Sequence, residues 1–373
     1  MTDTAHGRSL ETDRQAKRWL WLISVAGPAI PAIAAVGFFL SGSPLWALVA
    51  PLVYYGLVPL LDAVFGEDPF NPPAKALDEL SDDQWYRFLL FLSVPVIWTS
   101  LIFSAIAAAT PGLPLWAFLG FALSAAIVSG GAITVGHELG HKPNRIDQAG
   151  AKLANAASGY AHFCIEHNRG HHVLVATPED PASSRFGESV WRFALREIPG
   201  ALVRGHELER ERLAKKGLPF WTWRNDILQG YAITLAATVV LVAWLGWIML
   251  PFMVINCVVG WLHLTFANYV EHYGLLRDRR EDGRYLPCEP RHSWNTNHIV
   301  SNLMLFHLQR HSDHHANPLR PYQALRNFHD LPSLPSGYPG SFLLAAIPPL
   351  WFRVMNPKVL AWAGGDISKV NRG

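Results

Sequence analysis

The 373-residue sequence predicts an all-α integral membrane protein, six transmembrane helices with a helical cap that carries a histidine-rich dimetal site. Three observations lead there. Half of the residues are hydrophobic and only 16% are charged, with 15 tryptophans among them, a profile suited to a bilayer. Six apolar runs approach or exceed the roughly 20 residues that cross about 30 Å of hydrocarbon. Histidines gather in three short clusters, each close to the end of an apolar run or on the polar side of it.

In chain order, residues 1–18 form a polar tail of mixed charge. The apolar stretch that follows is too long for a signal-peptide core and lacks a small-residue cleavage site, so it reads as a retained anchor. The runs cover 19–40, 45–65, 88–109, 115–136, 231–250 and 252–267. Short uncharged turns at 41–43 and 110–112 make hairpins of the first four, and the last two meet at Pro251. Lys75 and Arg87 are the only Lys or Arg residues between Trp19 and His141, and none occurs between Gly230 and Leu276. Basic loops stay on the cytoplasmic side. The tight turns therefore face outward. The tail, the loop at 66–85, the histidine-rich region 137–229 and the C-terminal region 268–373 face the cytoplasm, around membrane segments at 19–136 and 230–267.

Between the spans, the prolines of the 66–73 loop keep it extended, and Leu80-Ser81-Asp82 offers an N-cap to the third span. Residues 186–229 are amphipathic and rich in arginine and tryptophan, as an interfacial element would be. The apolar patch at 341–355 is short and interrupted by Pro348-Pro349, so no seventh span is expected. A net charge of +2 without a basic run excludes a nucleic-acid partner. Cys164, Cys257 and Cys288 have no CxxC spacing, which excludes a disulfide framework and a thiolate metal site and suits a reducing compartment.

The clusters are His137-Glu138-Leu139-Gly140-His141, then Glu166-His167-Asn168-Arg169-Gly170-His171-His172, then His311-Ser312-Asp313-His314-His315. His137 and His141 are four apart, hence on one helix face. His167 and His171 repeat that spacing, while His172 points about 100° away, so the neighbouring pair can address different metals. In the third cluster His311 shares a face with His314 and with His315, whereas His314 and His315 diverge. With His272 the set reaches nine imidazoles, more than the six ligands one such metal takes, which implies two metals. A redox pair of irons accounts for so many ligands better than a hydrolytic zinc. The H-E-x-x-H expression of zinc proteases is met by the first cluster but leaves the others unexplained.

Second N–H groups of metal-bound imidazoles usually meet a carboxylate, carbonyl or water. Glu138, Glu166, Glu271 and Asp313 are candidates for that orienting role, with direct coordination or bridging as the alternative. His307, one turn before His311, is a candidate support. His263 lies nine residues before His272, on the opposite helix face, and is not expected to share its metals. His6, His162, His206, His292, His298 and His329 read as surface or structural.

These motifs resemble the integral-membrane alkane 1-monooxygenase family, within the membrane fatty-acid desaturase and hydroxylase superfamily. The resemblance extends to Asn268-Tyr269-Val270-Glu271-His272-Tyr273-Gly274-Leu275 and Leu308-Gln309-Arg310-His311-Ser312-Asp313-His314-His315-Ala316, which separate this chain from the desaturases. It implies a non-haem di-iron enzyme, with two Fe ions held by His137, His141, His167, His171, His172, His272, His311, His314 and His315. The implied reaction inserts one oxygen atom of O2 into the terminal C–H bond of a medium-chain n-alkane. The implied electron donor is rubredoxin, reduced by an NADH-dependent flavoprotein reductase and here a separate protein or a fused domain outside this chain, since CxxC pairs are absent. The implied setting is the bacterial inner membrane, whose lipid would deliver the alkane, and the cytoplasmic arginines are a candidate docking face for an acidic donor. Tyr54 and Tyr55 are candidates for setting the depth of an apolar substrate tunnel. The alternative is a fatty-acyl desaturase or related hydroxylase with the same histidine plan.

Overall fold

The computed structural model describes residues 17–328 and 330–373, and among these every regular element is helical. His6 and His329 lie outside the described residues, as does most of the N-terminal tail. Six helices are long and apolar enough to cross a bilayer: Lys17–Ser41, Pro44–Phe65, Gln84–Ala108, Leu115–Gly140, Asp226–Leu245 and Met249–His272. The chain is an integral membrane protein. Exposed tryptophans mark both ends of the bundle, Trp221 and Trp223 near the histidines and Trp244 and Trp247 at the far end, as expected for side chains that settle at the headgroups.

The fourth span is the hub. Of its apolar window 83% is buried, against 17% for the second and fifth spans, whose side chains are left to lipid. Small residues allow this, because they let neighbouring backbones approach closely. A Cβ on Gly130 would sit only 2.7 Å from the Cβ of His263, so the sixth span can lie against the fourth only over bare glycine. Both spans continue beyond their apolar runs into polar sequence, and their last turns carry His137 and His272.

Three local departures from the sequence reading have simple causes. The turn between the fifth and sixth spans falls at Gly246, where φ is 90°, instead of at Pro251. Pro251 enters the first turn of the sixth span, where its missing N–H is not needed. The cap of the third span is Asp83, whose side chain accepts from Trp85 N, because Asp82 already closes the short helix Leu77–Asp82. The second span is not uniform either. It contains a π-turn, Val53–Leu57, which holds Tyr54 and Tyr55. Pro59 cannot donate to the carbonyl four residues back, and the helix widens there.

On the histidine side, Val190–Ala214 is an amphipathic helix capped by Ser189, and its buried face includes Phe193, Glu197, Ala201 and Leu213. Near the C-terminus, Tyr338–Ala345 and Pro348–Trp362 are separate helices, and neither is a span. The second packs Trp351 against Tyr269 and Tyr273, which steadies the last turn of the sixth span next to His272.

Candidate metal centre

Hairpin topology returns all the clusters to one end of the bundle. There the nine histidines form two adjoining groups: His137, His141, His167, His172 and His314 in one, His171, His272, His311 and His315 in the other. Within each group the ligand-type atoms lie within 4.8 Å of one another. The groups touch through His172 and His315, whose ring centroids are 4.5 Å apart.

Local geometry explains the division. His137 and His141 share the end of the fourth span as an i, i+4 pair, and His311 and His315 share the helix His311–Ala316 in the same way. The second cluster departs from the reading of its spacing. Residues His167–His171 form a π-turn, and the i, i+5 period brings His167 together with His172 instead of with His171. His171 turns to the other group, as the divergence of neighbouring histidines anticipates. His314 and His315 part similarly.

Hydrogen bonding among the rings cannot explain the arrangement. The Nε2 of His314 is 2.8 Å from that of His137 and 3.1 Å from that of His172, which is itself 3.0 Å from that of His167. A ring nitrogen carries either one proton or one in-plane lone pair and cannot serve two such neighbours. Two nitrogens each about 2.1 Å from one ion would stand roughly 3 Å apart at a right angle, so the spacing fits convergence on a metal. The Nε2 atoms of His141, His171 and His272 are buried and have no hydrogen-bond partner among the described residues. Burial, followed by repulsion from neighbouring imidazoles, drives the pKa values of His141, His167, His311, His314 and His315 well below the ordinary range, and that of His172 to about 2. The rings are therefore neutral, as metal ligands must be. His171 differs: burial opposes its charge, but the Asp180 carboxylate outweighs burial and raises its pKa.

Asp180 is the carboxylate that the sequence reading did not single out. Its Oδ2 lies 2.8 Å from His171 Nδ1, both groups are buried, and Arg204 bridges Asp180 to Glu166. Nothing in the stretch Thr177-Pro178-Glu179-Asp180-Pro181 announces this role, which depends on the chain folding back behind the second cluster. The His292 carbonyl stands 3.3 Å from His272 Nδ1. Of the four carboxylates expected near the imidazoles, two approach one. Glu271 Oε2 is 3.2 Å from His311 Nε2 while its Oε1 accepts from Tyr338 at 2.5 Å, and Glu138 is 3.7 Å from His137 Nδ1. Glu166 instead holds Arg204, and Asp313 binds Arg320, Asn317 and the Arg326 amide. His307 does not reach His311 either. Phe306 and His307 take positive φ values of 49° and 52°, which interrupts the helix, and the His307 ring rests on Trp21 with Nδ1 3.2 Å from the Tyr322 carbonyl.

An apolar cavity reaches the centre from the membrane side. Tyr54, Ile127, Ile133, Leu264 and Phe342 line it, and its inner end is formed by His137, His167, His311 and Glu271. Tyr55 Oη and His263 Nε2 are 2.5 Å apart and stand between this cavity and a second apolar cleft at Leu123, Leu262 and Phe266. Tyr54 lines both the cavity and a third pocket beside Pro28 and Met304. His263 belongs to neither histidine group.

Comparison with known proteins gives this geometry a context. The Fatty acid desaturase family pattern matches residues 114–342, which contain every histidine of the two groups. Alkane 1-monooxygenase of Ectopseudomonas oleovorans is 52% identical over 359 residues, covering 95% of this chain and 88% of that protein. Alkane 1-monooxygenase 1 of Alcanivorax borkumensis is 50% identical over 355 residues, again covering 95% and 88%. The Xylene/toluene monooxygenase hydroxylase component of Pseudomonas putida is more distant, 30% identical over 246 residues and 65% of each chain. These relatives support an oxidoreductase of the monooxygenase type that hydroxylates alkanes. The chain belongs to the alkane 1-monooxygenase family.

Proposed function

We propose that this protein hydroxylates the terminal carbon of medium-chain n-alkanes to primary alcohols, using O2 and electrons from rubredoxin at a non-haem di-iron site. The reading rests above all on an apolar cavity that ends on histidines of both groups. An alkane offers no hydrogen-bonding handle, so shape and apolar contact must select it and bring one end to the metals. His137, His141, His167, His172 and His314 would hold one iron, and His171, His272, His311 and His315 the other. Bound there, the irons would supply the redox chemistry that activates O2. The residues do the rest: the cavity wall excludes water, Asp180 and the His292 carbonyl fix ring orientation, and Tyr338 steadies Glu271 where cavity and site meet. Tyr54 and Tyr55 would limit the tunnel, since both stand at partitions between the cavity and its neighbours.

The membrane would be the inner membrane of a bacterium, as the bacterial relatives suggest, and the distribution of basic residues favours an orientation with both termini, the 66–85 loop and a cap built from 137–229 and 268–373 in the cytoplasm. His141 and His172 are partly exposed, and Lys142, Arg145 and Arg169 accompany them in sequence. That edge suits an acidic rubredoxin, reduced in turn by its NADH-dependent reductase. The test is purified, iron-loaded protein supplied with rubredoxin, reductase and NADH, and given octane or an acyl thioester. The expected product is 1-octanol. An unsaturated acyl chain, or no alcohol, would overturn the reading.

A further inference from the structure

Glu197 is fully buried in the first half of the helix Val190–Ala214. Its two oxygens accept from neutral donors on the sixth span, Thr265 Oγ1 at 2.7 Å and Asn268 Nδ2 at 3.2 Å. Two arginines of its own helix are engaged elsewhere, Arg196 with Glu188 and Arg204 with Glu166 and Asp180. The charged groups facing it are the carboxylates Glu166 and Asp180, and the Tyr160 hydroxyl is also near. A buried carboxylate without a cation costs several kcal/mol when ionised, so such a group takes up a proton instead. Burial first, and then the two carboxylates, push its pKa up to about 7, while the two donors restrain the rise. Asn268 also lines the apolar cavity that ends on the histidines.

We propose that Glu197 is a proton store for the oxygen chemistry, releasing its proton toward the cavity on the side where Asn268 forms its wall and regaining it between turnovers. The inference rests on the monooxygenase reading. In that reaction an alkane C–H bond, O2, two electrons from the reduced donor protein and two protons give an alcohol and one water. The O–O bond breaks, one oxygen enters the C–H bond and the other leaves as water with the two protons. The aliphatic and aromatic wall holds no such store, and the cavity's one carboxylate among the described residues, Glu271, is bound to Tyr338 and lies against His311. Thr265 and Asn268 would stabilise the carboxylate that release leaves behind, which keeps transfer and recovery both accessible near neutral pH.

Glu197→Gln and Glu197→Asp, each in the full-length, iron-loaded protein, test this against wild type. Below about pH 7 the wild type should show the infrared carbonyl band of buried carboxylic acids, and Glu197→Gln should lose the component that Glu197 contributes. Octanol formation should fall on the order of 100-fold in Glu197→Gln with iron content unchanged, with partial recovery in Glu197→Asp. The wild-type rate should decline above about pH 7, as the store empties, and that limb should be missing in Glu197→Gln. A Glu197→Gln protein with wild-type rate and pH profile would overturn the proposal, as would an unchanged infrared band. Loss of iron from both variants would make the residue structural and overturn it equally. The band is read without turnover, so a wild type that made no alcohol would defeat the proposed function while the band still decided whether Glu197 holds a proton.

Discussion

The two histidine groups use the same ligand chemistry in unlike surroundings. In the group of five, His141 and His172 reach partial exposure, and the Nδ1 atoms of His137 and His314 have no hydrogen-bond partner among the described residues. The group of four is wholly buried, with His171 held by Asp180 and His272 by a backbone carbonyl, while the Nδ1 atoms of His311 and His315 also have no hydrogen-bond partner among the described residues and Glu271 meets His311 at Nε2. The more accessible group suits electron entry from a partner, and the buried group, with two of its four rings held from behind, suits control of geometry at the substrate end. The cavity touches both, through His137 and His167 on one side and His311 on the other.

The largest effects should come from removing one ligand from one group. His314→Ala should lose the metal of the group of five and His315→Ala that of the group of four, each reducing octanol to background while iron analysis shows one ion retained. If either variant lost both ions, or neither, the division into two groups would be wrong. Asp180→Asn should weaken metal binding or activity by about 10- to 100-fold, and only at the group of four. Glu138→Gln, which alters a longer contact, should do less; metal titration of the two variants compares the groups directly. Tyr55→Ser should leave iron content alone and extend the longest alkane accepted, and an unchanged product profile across an alkane series would remove the partition role. The smallest effect is expected for His307→Ala, whose ring lies away from both groups: iron content and turnover should stay at wild-type values.

Run length, turn composition and histidine spacing are local properties, and they made the six spans and the nine clustered histidines legible in the sequence. Even the splitting of His171 from His172 and of His314 from His315 follows from helix periodicity. The pairing of His167 with His172 did not, because it depends on a π-turn that an ideal α-helical period does not anticipate. The support expected from His307 assumed an unbroken helix up to His311, but the left-handed residues Phe306 and His307 end it. Asp180, Tyr338 and Glu197 were invisible for another reason. Tyr338 and Glu197 act on residues 67 and 68 positions away, and Asp180 reaches His171, nine residues before it, only because the chain folds back there; immediate neighbours of the histidines were the only carboxylates that spacing could nominate.

The most direct test of unequal metal sites is a Mössbauer spectrum of protein loaded with isotopically enriched iron, recorded for wild type and for Asp180→Asn. The expected result is two distinct iron signals of equal area, of which the substitution shifts one and leaves the other in place. A single signal, or a shift of both together, would contradict it.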